Sequence, residues 1–114
     1  MKRGEVKRGA IVVVAAKGAY TGKPRPALVV QSDLFNPTHS SVTICPITSD
    51  CVDAPLFRVV LAPGERTGLR RTSQVMIDKI VSVPRSAITD ELGWCDETEL
   101  QAADEALRRW LALS

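Results

Sequence analysis

The chain has 114 residues, 45% hydrophobic and 25% charged, with a formal net charge of +2. That length suits one domain, spanning 1–114, whose folding takes roughly two-thirds of the chain's surface out of water. Two Phe, two Trp and one Tyr are too few rings for a single-strand binder that works mainly by base stacking, so Val, Leu, Ile and Ala must fill the core.

The opening MKRGEVKRGAIVVVAA has the outline of a secretory leader: basic residues, an apolar run, then small residues. Yet Ala10–Ala16 reaches only the bottom of the ~7–15-residue apolar range of such leaders. It is Val-rich and closed by Lys17, which predicts a buried strand. No run approaches the ~18 apolar residues of a bilayer span, so the expectation is a cytoplasmic chain with no membrane partner. Further apolar runs follow at Ala27–Gln31, Val42–Ile47, Phe57–Leu61 and Val75–Val83, separated by the turn-rich GAYTGKP, DLFNPTHSS, TSDCVDAP and APGERTG. Short strands punctuated in this way predict a mainly β, α+β fold, a compact antiparallel sheet or small barrel. Pro24 and Pro26 keep Arg25 extended at a stiff loop-to-strand junction. Pro84–Gly93 is expected to make one short helix or turn. Asp96 with Glu99 three residues later is a capping-box start. Leu100, Ala103, Leu107, Trp110 and Leu111 then share one helical face, expected to lie on the sheet. Arg108 and Arg109 at the end of this helix suit its macrodipole, and Asp104–Arg108 and Glu105–Arg109 are spaced for i,i+4 pairs.

Charge is segregated along these elements. Residues 1–36 carry seven Lys/Arg against two acids, 58–85 six against two, and 86–114 two arginines against seven acids. A basic body with an acidic closing segment suits a polyanionic partner met by the body, although charge runs are usually just solvated. Cys45, Cys51 and Cys95 make no CxxC pair and leave one over, which predicts reduced thiols. With His39 the only histidine, neither a Cys–His nucleophile nor a metal-ligand spacing is recognisable, and no metal or cofactor is expected. Arg25 offers phosphate oxygens a planar fork of donors, and Thr48 offers one hydroxyl. Lys17 and Lys23 are candidate phosphate contacts, and Tyr20 is either a stacking ring or a partly buried loop anchor. Taken singly these are ordinary residues: an arginine before a strand is most often a surface charge, and threonine is a good β-former.

The ordered segments RGAIVVV, PRPALVVQSDLFN, VTICPITS and SQVMIDKIVSV, with the closing acidic-to-basic helix, resemble the MazF/PemK family of toxin endoribonucleases over nearly the whole chain. The resemblance implies a strongly bent antiparallel sheet or SH3-like small barrel of the MazF/CcdB type, closed by a C-terminal helix. It also implies a homodimer that cuts single-stranded RNA without a metal, leaving a 2′,3′-cyclic phosphate (or its 3′-phosphate) and a 5′-hydroxyl. A cognate antitoxin, expected to present an acidic flexible segment, would neutralise it. Carried across position by position, Arg25 and Thr48 match the family's catalytic arginine and threonine, and Ser73 a substrate-contacting serine. Asp78 falls where an acid often follows that strand, and the loop Ala16–Lys23 corresponds to one that lines the RNA groove. The residues expected to contact RNA are therefore Lys17, Tyr20, Thr21, Lys23, Ser49, Ser73, Gln74 and Asp78. The general base stays unassigned, with His39 and Asp78 as candidates. The chain departs from the family in its first strand, where GDIWLVDLDP is usual and AIVVVAAKG follows Gly9, and in lacking the usual Gln or His before the arginine. Two other readings stay open: a CcdB-like toxin that poisons DNA gyrase, and a non-catalytic RNA-binding module of the same fold.

Overall fold

The computed structural model describes residues 6–15 and 23–114. Its strands are β1 (Ala10–Val14), β2 (Arg25–Val29), β3 (Ser41–Thr48), β4 (Arg58–Leu61), β5 (Ser73–Met76), β6 (Val81–Pro84) and β7 (Ile88–Trp94), followed by helix α1 (Glu97–Leu111). All strand pairs are antiparallel, in the order β4-β5-β3-β2-β1-β7 with β6 beside β3. Among the described residues β4 and β7 end this path without pairing to each other. The sheet is therefore bent but open, not a closed barrel.

Strand β3 is long enough to serve two partners along one edge. Ser41–Ile44 pair with β6, while Ile47 and Thr48 pair with Val75 and Gln74 of β5. The Val75–Val83 run, expected as one strand, is accordingly divided by a 3₁₀ turn at Ile77–Lys79. The turn keeps Ile77 fully buried, so the corner forms without losing apolar burial. A second difference lies in Pro84–Gly93. Arg85–Ala87 form the short turn expected there, but Ile88–Trp94 is a strand on β1. Its alternating faces are largely polar because it lies at the edge of the sheet, which hides the strand signal.

Side-chain alternation divides the interior in two. Ile11, Leu28, Cys45, Ile47 and Val75 gather with Ala103 and Ala106 of α1. Val12, Val14, Ala27, Val29, Val42, Ile44 and Val83 form a second cluster. With both faces covered, each buried aliphatic side chain contributes about 1.5–3 kcal/mol, and the strands hold a rigid frame for what projects at their ends.

Helix α1 opens with the expected capping box: the Asp96 carboxylate accepts from the Glu99 N–H at 2.8 Å, and the Glu99 carboxylate from the Asp96 N–H at 2.9 Å. Its apolar stripe is core only in part. Ala103 is buried, whereas Trp110 and Leu111 stay 47% and 48% exposed, with Trp110 tilted against Phe57 at 5.6 Å. The expected pairs within the helix give way to tertiary ones. Asp104 meets Arg8, and Arg109 donates to the Leu56 carbonyl at 3.0 and 2.9 Å. No helix among the described residues is long and apolar enough to cross a membrane.

Candidate active site

Strands β2 and β3 pair Ala27 with Pro46, Leu28 with Cys45 and Val29 with Ile44. In an antiparallel ladder a step back on one strand is a step forward on the other, so two further steps set Arg25 across from Thr48. Opposed residues share a face of the sheet. Both side chains line one open groove of about 320 Å³, together with Pro26, Ile47, Ser49, Asp50, Leu69, Arg70, Arg71 and Ser73. None of these is aromatic, so this part of the surface is suited to a charged backbone more than to stacked bases.

The groove is electropositive, with three guanidinium groups against the carboxylate of Asp50 among the described residues. Arg25, Arg70 and Arg71 are exposed, and their guanidinium groups have no hydrogen-bond or ion-pair partner among the described residues. The Thr48 hydroxyl oxygen accepts from the Asp50 N–H at 3.0 Å. That bond uses one lone pair and leaves the hydroxyl proton to be donated. Arg70, Arg71 and Asp50 were not singled out from the sequence. The Arg doublet inside the basic 58–85 block was the available signal.

The other expected contacts are distributed unevenly. Ser49 is exposed on the groove, while Ser73 borders it but is 4% exposed and donates to the Arg71 carbonyl at 2.9 Å. Gln74 is buried and clamps Val52 from both sides: its carbonyl accepts from the Val52 N–H at 3.1 Å and its amide donates to the Val52 carbonyl at 2.7 Å. These two residues hold the loops that carry the groove residues. Asp78 does not line the groove. It receives Arg58 through two bonds of 2.9 and 3.4 Å, with side-chain exposures of 17% and 11% respectively. Lys23 is exposed and is not among the lining residues. Lys17, Tyr20 and Thr21 lie outside the described residues.

His39 bonds Ser41 through its ring nitrogen, at the end of β3 opposite Thr48. The length of the strand, on the order of 20 Å, separates the two ends. Burial pushes the Cys45 and Cys95 thiols up to about 12, with Asp78 adding to the effect at Cys45 and Glu99 at Cys95. Both therefore stay protonated and unreactive at neutral pH. Cys51 is exposed, its thiol donating to the Thr72 carbonyl at 3.7 Å. Among the described residues no three His, Cys, Asp or Glu side chains cluster as metal ligands.

Comparison with known proteins places the chain in a family. Residues 7–111 match the family described as "PemK-like, MazF-like toxin of type II toxin-antitoxin system". The chain is 46% identical over 109 residues to a probable endoribonuclease MazF of Mycolicibacterium smegmatis, covering 96% of this chain and 99% of that one. It is 30% identical over 113 residues to endoribonuclease EndoA of Bacillus subtilis, covering 99% and 96%. A MazE–MazF structure from Deinococcus radiodurans superposes with a TM-score of 0.76 at 27% identity, covering 94% of this chain and 96% of that one. With a family match across nearly its whole length and a relative at 46% identity, the chain is a member of the PemK-like, MazF-like toxins of type II toxin–antitoxin systems.

Proposed function

We propose that residues 1–114 act as one toxin domain, a sequence-selective endoribonuclease that cuts single-stranded RNA at the groove between Arg25 and Thr48. The observation that carries this reading is the single electropositive groove that both side chains line, beyond the Ala27–Pro46 end of the β2–β3 ladder. The named activity of the relatives supports it, and favours it over gyrase poisoning.

In this reading the substrate's own 2′-hydroxyl attacks the adjacent phosphorus, and the bond to the 5′-oxygen breaks. The products are a 2′,3′-cyclic phosphate and a 5′-hydroxyl, the departing 5′-oxygen taking up one proton, from solvent or from the group that accepted the 2′-hydroxyl proton. Negative charge accumulates on the non-bridging oxygens as the fifth bond forms. Arg25 stabilises that charge as a permanent cation, because a guanidinium does not give up its proton near neutrality. Thr48 donates its hydroxyl hydrogen to the same phosphate, its oxygen being held by the Asp50 N–H. Fixed donors of this kind are commonly the largest catalytic contribution. The proton of the 2′-hydroxyl needs an acceptor, and Asp50 is the one carboxylate among the described residues that line the groove. His39 and Asp78, the acceptors considered from sequence, are respectively distant along β3 and occupied by Arg58.

A homodimer and a cytoplasmic location complete the reading, with two-fold symmetry the commonest arrangement. Nine large apolar side chains among the described residues remain exposed, which suits a subunit contact. The MazE–MazF structure of the Deinococcus relative supports an antitoxin partner. An acidic flexible segment laid along the arginine-lined groove would block it.

The test is cleavage of labelled single-stranded RNA in EDTA. Wild-type chain should cut, and Arg25→Ala or Thr48→Val should lower the rate about 10²–10³-fold each. Loss of cutting on chelation, or variants that cut at the wild-type rate, would remove the reading. Binding without any cutting would turn it into the non-catalytic module.

A further inference from the structure

We propose that Arg70 and Arg71 form a phosphate-binding site for the RNA backbone, holding phosphates that neighbour the one reacting between Arg25 and Thr48. The inference rests on the endoribonuclease reading and adds to it a site that fixes the position of the strand.

Both arginines are exposed on the groove, and their guanidinium groups have no partner among the described residues. Arg25 and Thr48 serve one phosphate, whereas a single strand carries a phosphate at every nucleotide. Among the described residues that line the groove no ring stacks a base, so this part of the surface holds the strand through its backbone. A guanidinium fork matches phosphate oxygens in both charge and spacing.

The doublet is also held in place. Ser73 bonds the Arg71 carbonyl, and the Gly64 N–H donates to the Leu69 carbonyl at 3.1 Å. The preceding loop is seated on β7. Gly68 has φ of 72°, and any Cβ there would collide with the Leu92 carbonyl. The Trp94 N–H donates to the Arg66 carbonyl at 2.9 Å. The backbone is thus fixed while both side chains remain available, an arrangement that lowers the entropy lost on binding an anion.

The experiment measures binding of a fluorescent single-stranded RNA oligonucleotide to the Thr48→Val chain by anisotropy, across a series of salt concentrations. Adding Arg70→Gln and Arg71→Gln should weaken binding about tenfold per arginine at low salt. The slope of log affinity against log salt should become shallower by roughly 1.4 for the pair, about 0.7 for each single-strand phosphate that is no longer neutralised. Arg70→Lys with Arg71→Lys should restore the slope, since an ammonium still displaces a counterion. A Gln pair that unfolds at the parent's midpoint and binds with the parent's affinity and slope overturns the inference while leaving the nuclease standing. A wild-type chain that cuts no RNA overturns both.

Discussion

Two hollows of nearly equal volume, about 320 and 310 Å³, hold arginines in opposite conditions. In the hollow between α1 and β4, Arg58 is paired to Asp78 and Arg109 is bound to the Leu56 carbonyl. In the groove at the ends of β2 and β3, Arg25, Arg70 and Arg71 face solvent, their guanidinium groups with no partner among the described residues. Elsewhere Arg8 meets Asp104, Arg66 meets Glu99 and Asp96, and Arg85 donates to the Asn36 and His39 carbonyls. The difference teaches how to read a basic chain. A guanidinium already neutralised by a carboxylate or held by a carbonyl supports the fold. One left unpaired in a concavity attracts an anion from outside.

The strongest way to break this comparison is to exchange the consequences of the two sets. Arg58→Ala leaves the largely buried Asp78 carboxylate without its cation and should cost about 3 kcal/mol of stability. Arg25→Ala, removing an exposed and unpartnered charge, should stay within about 0.5 kcal/mol of wild type. Urea unfolding of both variants measures this; equal losses would erase the division between structural and functional arginines. Cleavage by Arg58→Ala, corrected for the folded fraction, should remain near wild type.

A smaller effect is expected at Gln74, which joins β5 to the loop after Thr48. Gln74→Ala leaves the Val52 N–H and carbonyl without their side-chain partners. The cost should be about 1–2 kcal/mol, and cleavage per folded molecule should fall as Ser49 and Asp50 lose their anchor. An RNA-contacting Gln74 would instead lower RNA affinity with stability intact.

The mildest change comes from the two buried thiols in the cluster beneath α1. Their folded pKa is raised from 9.0 to about 12. Below pH 9 each thiol is protonated in both folded and unfolded chains, and the stability is fully present. From pH 9 towards 12 only the unfolded thiol loses its proton, so stability falls by up to about 1.4 kcal/mol per pH unit for each cysteine. Unfolding midpoints between pH 8 and 10.5 should show this decline, and Cys45→Ala should flatten it. Arg25→Ala should keep the same alkaline slope, since Arg25 is not among the groups that shift either thiol.

Much of the frame was legible along the chain. The runs at Ala27–Gln31 and Val42–Ile47 became β2 and β3 because β-branched alternation is a local pattern that suits a sheet covered on both faces. The Asp96–Glu99 box formed because its two bonds span only three residues. β7 was hidden, since an edge strand with polar alternation carries little apolar signal until β1 lies beside it. The 75–83 run concealed a corner for a related reason: its halves pair with different parts of β3.

The sequence by itself determined the apolar periodicity, the helix cap and the family pattern that singles out Arg25 and Thr48, all carried by neighbouring residues. The tertiary structure decided which arginines are left to meet an anion. Arg58 finds its carboxylate 20 residues away and Arg8 finds its own 96 residues away. Charge compensation is a pairwise effect of a few ångströms, and only folding brings such distant groups within that range.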